Sequence, residues 1–198
     1  SETPISDTLV TNTYPRLYEA VYQRDHREIA PFLSHEGEEV RAQAWRVLAA
    51  TPVDSVDPYI ELAAQQNSEA GWFAISKQPL SERHLRDLEQ IWETQQDLQP
   101  GIAMVLGQQG DRQSLDFLLS KIDDDISENE RYALGISRLI IRHEIEEEAQ
   151  IRVLQKAFNT SRADVRRNYL YGWYRGAQNA LAPAAKDTLL SRWREQGL

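Results

Sequence analysis

From Tyr14 onward, apolar residues recur at spacings of three and four, and no segment keeps the strict alternation of a half-buried strand. Each such segment reads as a short amphipathic helix. Residues that stop and start helices separate the segments: Ser34–Gly37, Thr51-Pro52, Asn67-Ser68, Pro79–Ser81, Gly110-Asp111, Asn159–Ser161 and Ala182-Pro183. Ser127 and Glu130 stand at capping-box spacing, which places a helix start at Ser127. The chain therefore reads as about eleven short helices, and short links between short helices make antiparallel neighbours.

The helices also repeat. Val40, Ala44 and Leu48 mark one inward stripe, and the same register returns at Ala70, Ala74, Gln78; Leu98, Ile102, Leu106; Tyr132, Ile136, Ile140; and Val165, Tyr169, Trp173. The steps are 30, 28, 34 and 33 residues. Each of these helices follows another with its own apolar stripe, as in Leu85-Leu88-Ile91-Trp92 or Val153-Leu154-Ala157-Phe158. A helix pair repeated about every 30 residues predicts an α-solenoid. Gln78 breaks the stripe and Pro79 closes its helix, which makes the second repeat the most degenerate.

Three strings carry a family resemblance. EEVRAQAWRVLAATP, residues 38–52, resembles the second helix of a HEAT repeat, with small alanines where helices cross. IAMVLGQQGDRQSLDFLL, residues 102–119, is similar to the bacterial short-HEAT pattern, and SRADVRRNYLYGW, residues 161–173, repeats its Asp-Val-Arg start. The resemblance covers roughly residues 15–181. It implies an all-α, right-handed α-α superhelix of about five HEAT-like helix pairs, related to armadillo arrays, over residues 14–198. Residues 1–13, rich in serine and threonine, read as a flexible N-terminal segment. The stretch at residues 21–41 is also similar to helical arrays of bacterial cell-envelope proteins, some of them joined to a cyclophilin-type prolyl isomerase. Together with a first residue that is Ser1, as in a processed or excised chain, this gives an expectation of a location outside the cytoplasm.

Charge and composition narrow the chemistry. The 198 residues hold no cysteine, which excludes disulfides and thiolate chemistry. No apolar run is long enough to span a membrane. Residues 1–130 carry 24 acids against 10 bases, net −14, whereas residues 131–198 carry 7 against 12, net +5. Such a chain repels nucleic acid over most of its length and attracts acidic groups at its C-terminal end. His35-Glu36 and His143-Glu144 invite comparison with deoxyhypusine hydroxylase, a HEAT-like di-iron enzyme. That family sets its His-Glu pairs just inside repeat helices and relates them by symmetry, and neither condition is met. The acidic run from Asp123 to Glu128 lacks the glycine and terminal glutamate of a calcium loop. HEAT-like DNA glycosylases need a basic concave face, which the acidic first part does not supply. No nucleophile or phosphate-loop motif is present. No catalytic residue, metal or cofactor is expected.

One segment stands out. At about 100° per residue, Val165, Tyr169, Gly172, Trp173, Gly176 and Ala180 fall on one helix face. Arg167, Tyr171, Tyr174, Arg175 and Gln178 fall on the other. Glycine inside a helix is unfavourable by about 1 kcal/mol against alanine, so its place on the packing stripe predicts a close neighbour. The opposite face pairs arginine with tyrosine, residue types enriched at binding hot spots. A terminal helix around Leu189, Leu190 and Trp193 is the other candidate to cover that face. The expected function is a non-enzymatic scaffold that binds a protein or peptide, acidic in character, on its concave side. The alternatives are an accessory segment of a larger cell-envelope enzyme and, disfavoured by the failed motifs, a HEAT-like enzyme.

Overall fold

A computed structural model describes residues 25–177, with residue 19 and residues 187–188, 191–192 and 194–195. The expected segment 1–13, the terminal helix around Leu189, Leu190 and Trp193, the surroundings of Gly176 and Ala180, and Gln178 lie outside the described residues. The described residues are all-helical, without a strand, and form two compact units, one through Pro79 and one from Leu80 on.

In the first unit, α1 (His26–Ile29) leads through a 3-10 turn (Ala30–Ser34) into α2 (Glu38–Ala49). There follow α3 (Asp57–Gln66) and α4 (Glu69–Ser76). The two second helices, α2 and α4, pack on each other. Indoles anchor this core and find partners for their N–H groups: Trp45 donates to Gln66 Oε1 at 2.9 Å and Trp72 to Asn67 Oδ1 at 2.9 Å. Asn67, at φ 45°, ends α3 in the left-handed region that asparagine tolerates, and Ser68 then caps α4 by accepting from the Gly71 N–H.

Gln78 is where the repeat pattern misleads. It lies beyond the end of α4, is buried, and donates through Nε2 to Leu48 O at 2.8 Å and Thr51 O at 3.0 Å. Those carbonyls sit at and just beyond the C-terminal end of α2, where helical partners run out. The polar residue in an apolar register is a cap for the neighbouring repeat. It is not a packing defect.

The second unit comprises α5 (Glu82–Thr94), α6 (Gln99–Gln109), α7 (Arg112–Ser120), α8 (Glu130–Arg142), α9 (Glu147–Asn159) and α10 (Ala163–Gly172). A π-helical turn, Trp173–Ala177, continues α10. The helices α6, α8 and α10 form one layer, α8 packing on both of the others. All nine stripe positions from Leu98 to Trp173 are buried. Ser81 and Asp111 cap α5 and α7 in reciprocal capping boxes with His84 and Ser114. The expected helix start at Ser127 is corrected. Residues Asp125–Glu128 form a 3-10 turn, Ser127 is buried with its hydroxyl on Asp124 O at 2.6 Å, and Asn129 caps α8.

Small residues set the spacing of this layer. A Cβ on Gly135 would stand 2.4 Å from Ala103 O, and one on Gly107 would stand 2.4 Å from the Gly135 Cα. On the other side of α8, a Cβ on Gly172 would meet the Ser137 Cα at 2.4 Å. Ser137 Oγ, buried in that seam, donates to Ala133 O within α8 and is also positioned to donate to Asn168 O of α10.

Two substitutions check this reading. Gly135→Ala would gain about 1 kcal/mol of helix propensity on an exposed helix, but here the added methyl meets backbone. Thermal or denaturant unfolding should show a net loss of about 1–3 kcal/mol. Gln78→Leu restores the apolar register yet leaves the Thr51 carbonyl without its amide donor, and should also cost about 1–3 kcal/mol. A stabilised Gln78→Leu variant would contradict the capping role.

Candidate functional site

The face singled out by sequence is carried by α10 and its π-turn. Its inward side is fixed at several points. Val165, Tyr169, Gly172 and Trp173 are buried, Tyr169 donates its hydroxyl to Ser127 O at 2.6 Å, and Trp173 packs with Leu154 and Phe158 of α9. Burial, reinforced by the Glu128 carboxylate, pushes the Tyr169 phenol far above its ordinary range, so it stays a neutral donor. The neighbouring arginines divide the work. Arg166 turns inward and donates to Ala157 O at 3.0 Å and Thr160 O at 2.7 Å, closing the end of α9.

Arg167 turns outward. With it stand Tyr171, 49% exposed, Tyr174, 57% exposed, and Arg175, also exposed. Beside them lies an open groove of about 420 Å³ lined by Arg166, Arg167, Leu170, Tyr171, Trp173 and Tyr174. The Trp173 indole N–H is buried and has no hydrogen-bond partner among the described residues. The π-turn widens the helix at Trp173–Ala177, so Tyr174 and Arg175 depart from the regular α-helical rotation assumed from sequence. Of the five residues named from sequence, four share this exposed face, and Gln178 lies outside the described residues.

Sequence reasoning missed the adjoining residues of α8. One repeat step of 33 residues before Tyr171, Tyr174 and Arg175 stand Arg138, Ile141 and Arg142. Ile141 is 39% exposed and Arg142 is exposed, its guanidinium donating to Gly110 O at 3.2 Å. Burial lowers the Arg142 pKa and the positive charge of Arg138 lowers it further, a sign that the two cations crowd each other. Applying the repeat step to α8 as well as to α10 would have found this set.

Other polar clusters resolve as structural ties. His26 Nδ1 lies 2.6 Å from the Tyr59 hydroxyl and its Nε2 lies 3.1 Å from Asp54 Oδ2. The order Asp-His-Tyr resembles a nucleophile relay, but burial pushes the Tyr59 phenol up, with the Asp54 and Asp25 charges adding to it. Through the His26 ring, Tyr59 ties α1 to α3 and Asp54 ties it to the chain before α3. His35 Nδ1 accepts from the Gly37 N–H at 3.0 Å, and Asp123 of the acidic run pairs with Arg152 at 2.9 Å. Among the described residues no three His, Asp or Glu side chains gather as a metal-binding group.

A third cluster joins α5 to the start of α7. Arg86 Nη2 stands 2.6 Å from Asp111 Oδ1 and 3.2 Å from Glu89 Oε1, which itself accepts no hydrogen bond. Burial raises the Glu89 pKa against the pull of Arg86. At Asp111 burial also acts upward, but hydrogen bonds from Ser114 and Arg86 win and hold it below the usual range.

No protein-family model, curated protein or solved structure matches the chain.

The Glu89 cluster yields a pH test. A carboxyl whose folded-state pKa exceeds its unfolded value binds its proton more tightly when folded. Its contribution therefore falls as pH rises from the unfolded value through the folded one, and at neutral pH the ionised form destabilises the fold. Glu89→Gln should remove that decline. Unfolding followed from pH 4 to pH 7 (roughly the window around a raised carboxyl pKa) should show the variant gaining on the parent as pH rises. A parent that gains on the variant would contradict the sign.

Proposed function

We propose that the chain is a non-enzymatic scaffold that binds a protein or peptide on the exposed face of α10, the concave side of a HEAT-like right-handed superhelix of about five helix pairs. Two features support the solenoid reading. In each unit the second helix of one pair packs on the second helix of the next, α2 on α4 and α6 on α8 on α10. The resemblance to HEAT strings covers both units.

The observation that carries the binding role is the exposure of Tyr171 and Tyr174 between Arg167 and Arg175. Tyrosine offers rigid apolar area and a hydroxyl, and arginine offers a permanently charged planar fork. Here all four sit on an element whose opposite side is locked into the core. A surface chosen only for solubility has no need of two large rings half in water. The charge supports an acidic partner, because the basic residues of the chain concentrate in its last third while the rest repels anions.

Affinity capture with the intact chain, followed by mass spectrometry, supplies the candidate partner, and titration then tests the surface. Arg167→Ala with Tyr174→Ala should weaken binding about tenfold or more while circular dichroism and unfolding stay unchanged. Full-strength binding by that double variant would overturn the reading.

A further inference from the structure

The surface on α10 does not end at α10. The seam between α8 and α10 fixes their alignment: Gly172 abuts Ser137, Ser137 Oγ reaches Asn168 O, and Asn168 Nδ2 reaches Glu130 O at 3.4 Å. Residues 168 and 172 therefore lie level with the stretch 130–137, and the two helices run in the same direction. Continuing one turn along both places Arg138, Ile141 and Arg142 level with Tyr171, Tyr174 and Arg175. The same repeat step turns Arg138 and Tyr171 to the same side of the layer, away from the buried stripes Tyr132-Ile136-Ile140 and Val165-Tyr169-Trp173, and Ile141, Arg142, Tyr174 and Arg175 beyond them are exposed.

The charges on this side are unmatched. Arg138, Arg167 and Arg175 make no ion pair among the described residues, and Arg142 spends its one hydrogen bond on a backbone carbonyl. By contrast, Arg112, Arg152 and Arg162 elsewhere in the unit each face a carboxylate. The crowding of Arg138 and Arg142 would be relieved by an anion laid beside them. On the same two helices Ile141, Tyr171 and Tyr174 expose apolar surface, and in sequence they alternate with these arginines.

We infer that α8 and α10 together form one docking face for an extended acidic peptide that crosses both helices, with carboxylates meeting the arginines and an apolar side chain seated between Ile141 and the two tyrosines. The inference rests on the reading of α10 as a binding surface and extends it to a ligand chemistry. Packed helix axes lie about 8–10 Å apart, and an extended chain in the polyproline II conformation advances about 3.1 Å per residue with every third side chain on the same side. The ligand therefore carries two carboxylates about three residues apart, flanking an apolar residue. A helical ligand would offer a different spacing, and a nucleic acid would offer charge without the apolar anchor.

The probe is a fluorescein-labelled ten-residue peptide with Glu at its fourth and seventh positions and Phe between them, titrated by anisotropy into the intact chain. A composition-matched peptide with adjacent glutamates is the control. The expected result is binding of the spaced peptide, at least tenfold tighter than the control, and weakening with salt. Arg138→Glu should weaken it at least tenfold. Arg138 makes no ion pair among the described residues for the variant to lose, and circular dichroism checks that it folds. Arg112→Ala, on α7, should leave binding unchanged.

Failure modes separate cleanly. Weakening by Arg167→Ala with Tyr174→Ala, but none by Arg138→Glu, overturns the two-helix face and leaves the α10 surface standing. No weakening by either set overturns both. Equal competition by ten-residue oligothymidine overturns the peptide assignment in favour of a general polyanion site. Concentration-dependent dimerisation that Arg138→Glu abolishes, without peptide binding, assigns the face to a second copy and overturns it as well.

Discussion

The closeness of α8 to its neighbours is the constraint on which the second unit depends. Gly107, Gly135 and Gly172 leave no room for a Cβ, and Ser137 contributes a hydroxyl small enough to sit in the seam and bond across it. Helices that approach this closely bury backbone against backbone, and neither can rotate without collision. Rotation of α10 is thus fixed by sterics on one side, while Tyr169 and Trp173 fix it by burial on another. What remains outward is not optional. Arg167, Tyr171 and Tyr174 are exposed on the side of α10 that faces away from this packing.

The same constraint converts a property of one helix into a property of two. If bulky residues separated α8 from α10, the arginines of each would be independent surface charges, screened and of little consequence. Held in a tight, aligned pair, they form a single field with exposed apolar surface on the same two helices. Fixed spacing favours a ligand whose own charges have fixed spacing, and pre-organisation lowers the ordering cost of binding. Packing here leads to recognition through geometry alone, without any chemistry at a reacting atom.

Much of this was legible in the sequence, and the exceptions share a cause. Local signals worked: Ser68, Ser81 and Asp111 begin helices where the punctuation put them, and the stripe residues from Leu98 to Trp173 are buried. The close neighbour expected at Gly172 is Ser137. What failed depended on partners distant in sequence. Gln78 looks like a defect until Leu48 and Thr51 supply carbonyls from the preceding repeat. Ser127 looks like a cap until Tyr169 of α10 donates to its carbonyl in a buried 3-10 turn and the next helix is capped by Asn129 instead. Arg138 and Arg142 look like ordinary helix-surface charges until α10 is laid beside them. A one-dimensional pattern reports which side of a helix is wet, but only the stacking of repeats reports which wet sides join.

The most direct measurement of that joining is backbone chemical-shift mapping of the isotopically labelled intact chain during titration with the spaced acidic peptide. Two stretches should move together, with one dissociation constant: Arg138–Arg142 of α8 and Arg167–Arg175 of α10. Shifts confined to one of the two stretches, or gathered on α5, α7 and α9, would contradict a single face built from both helices.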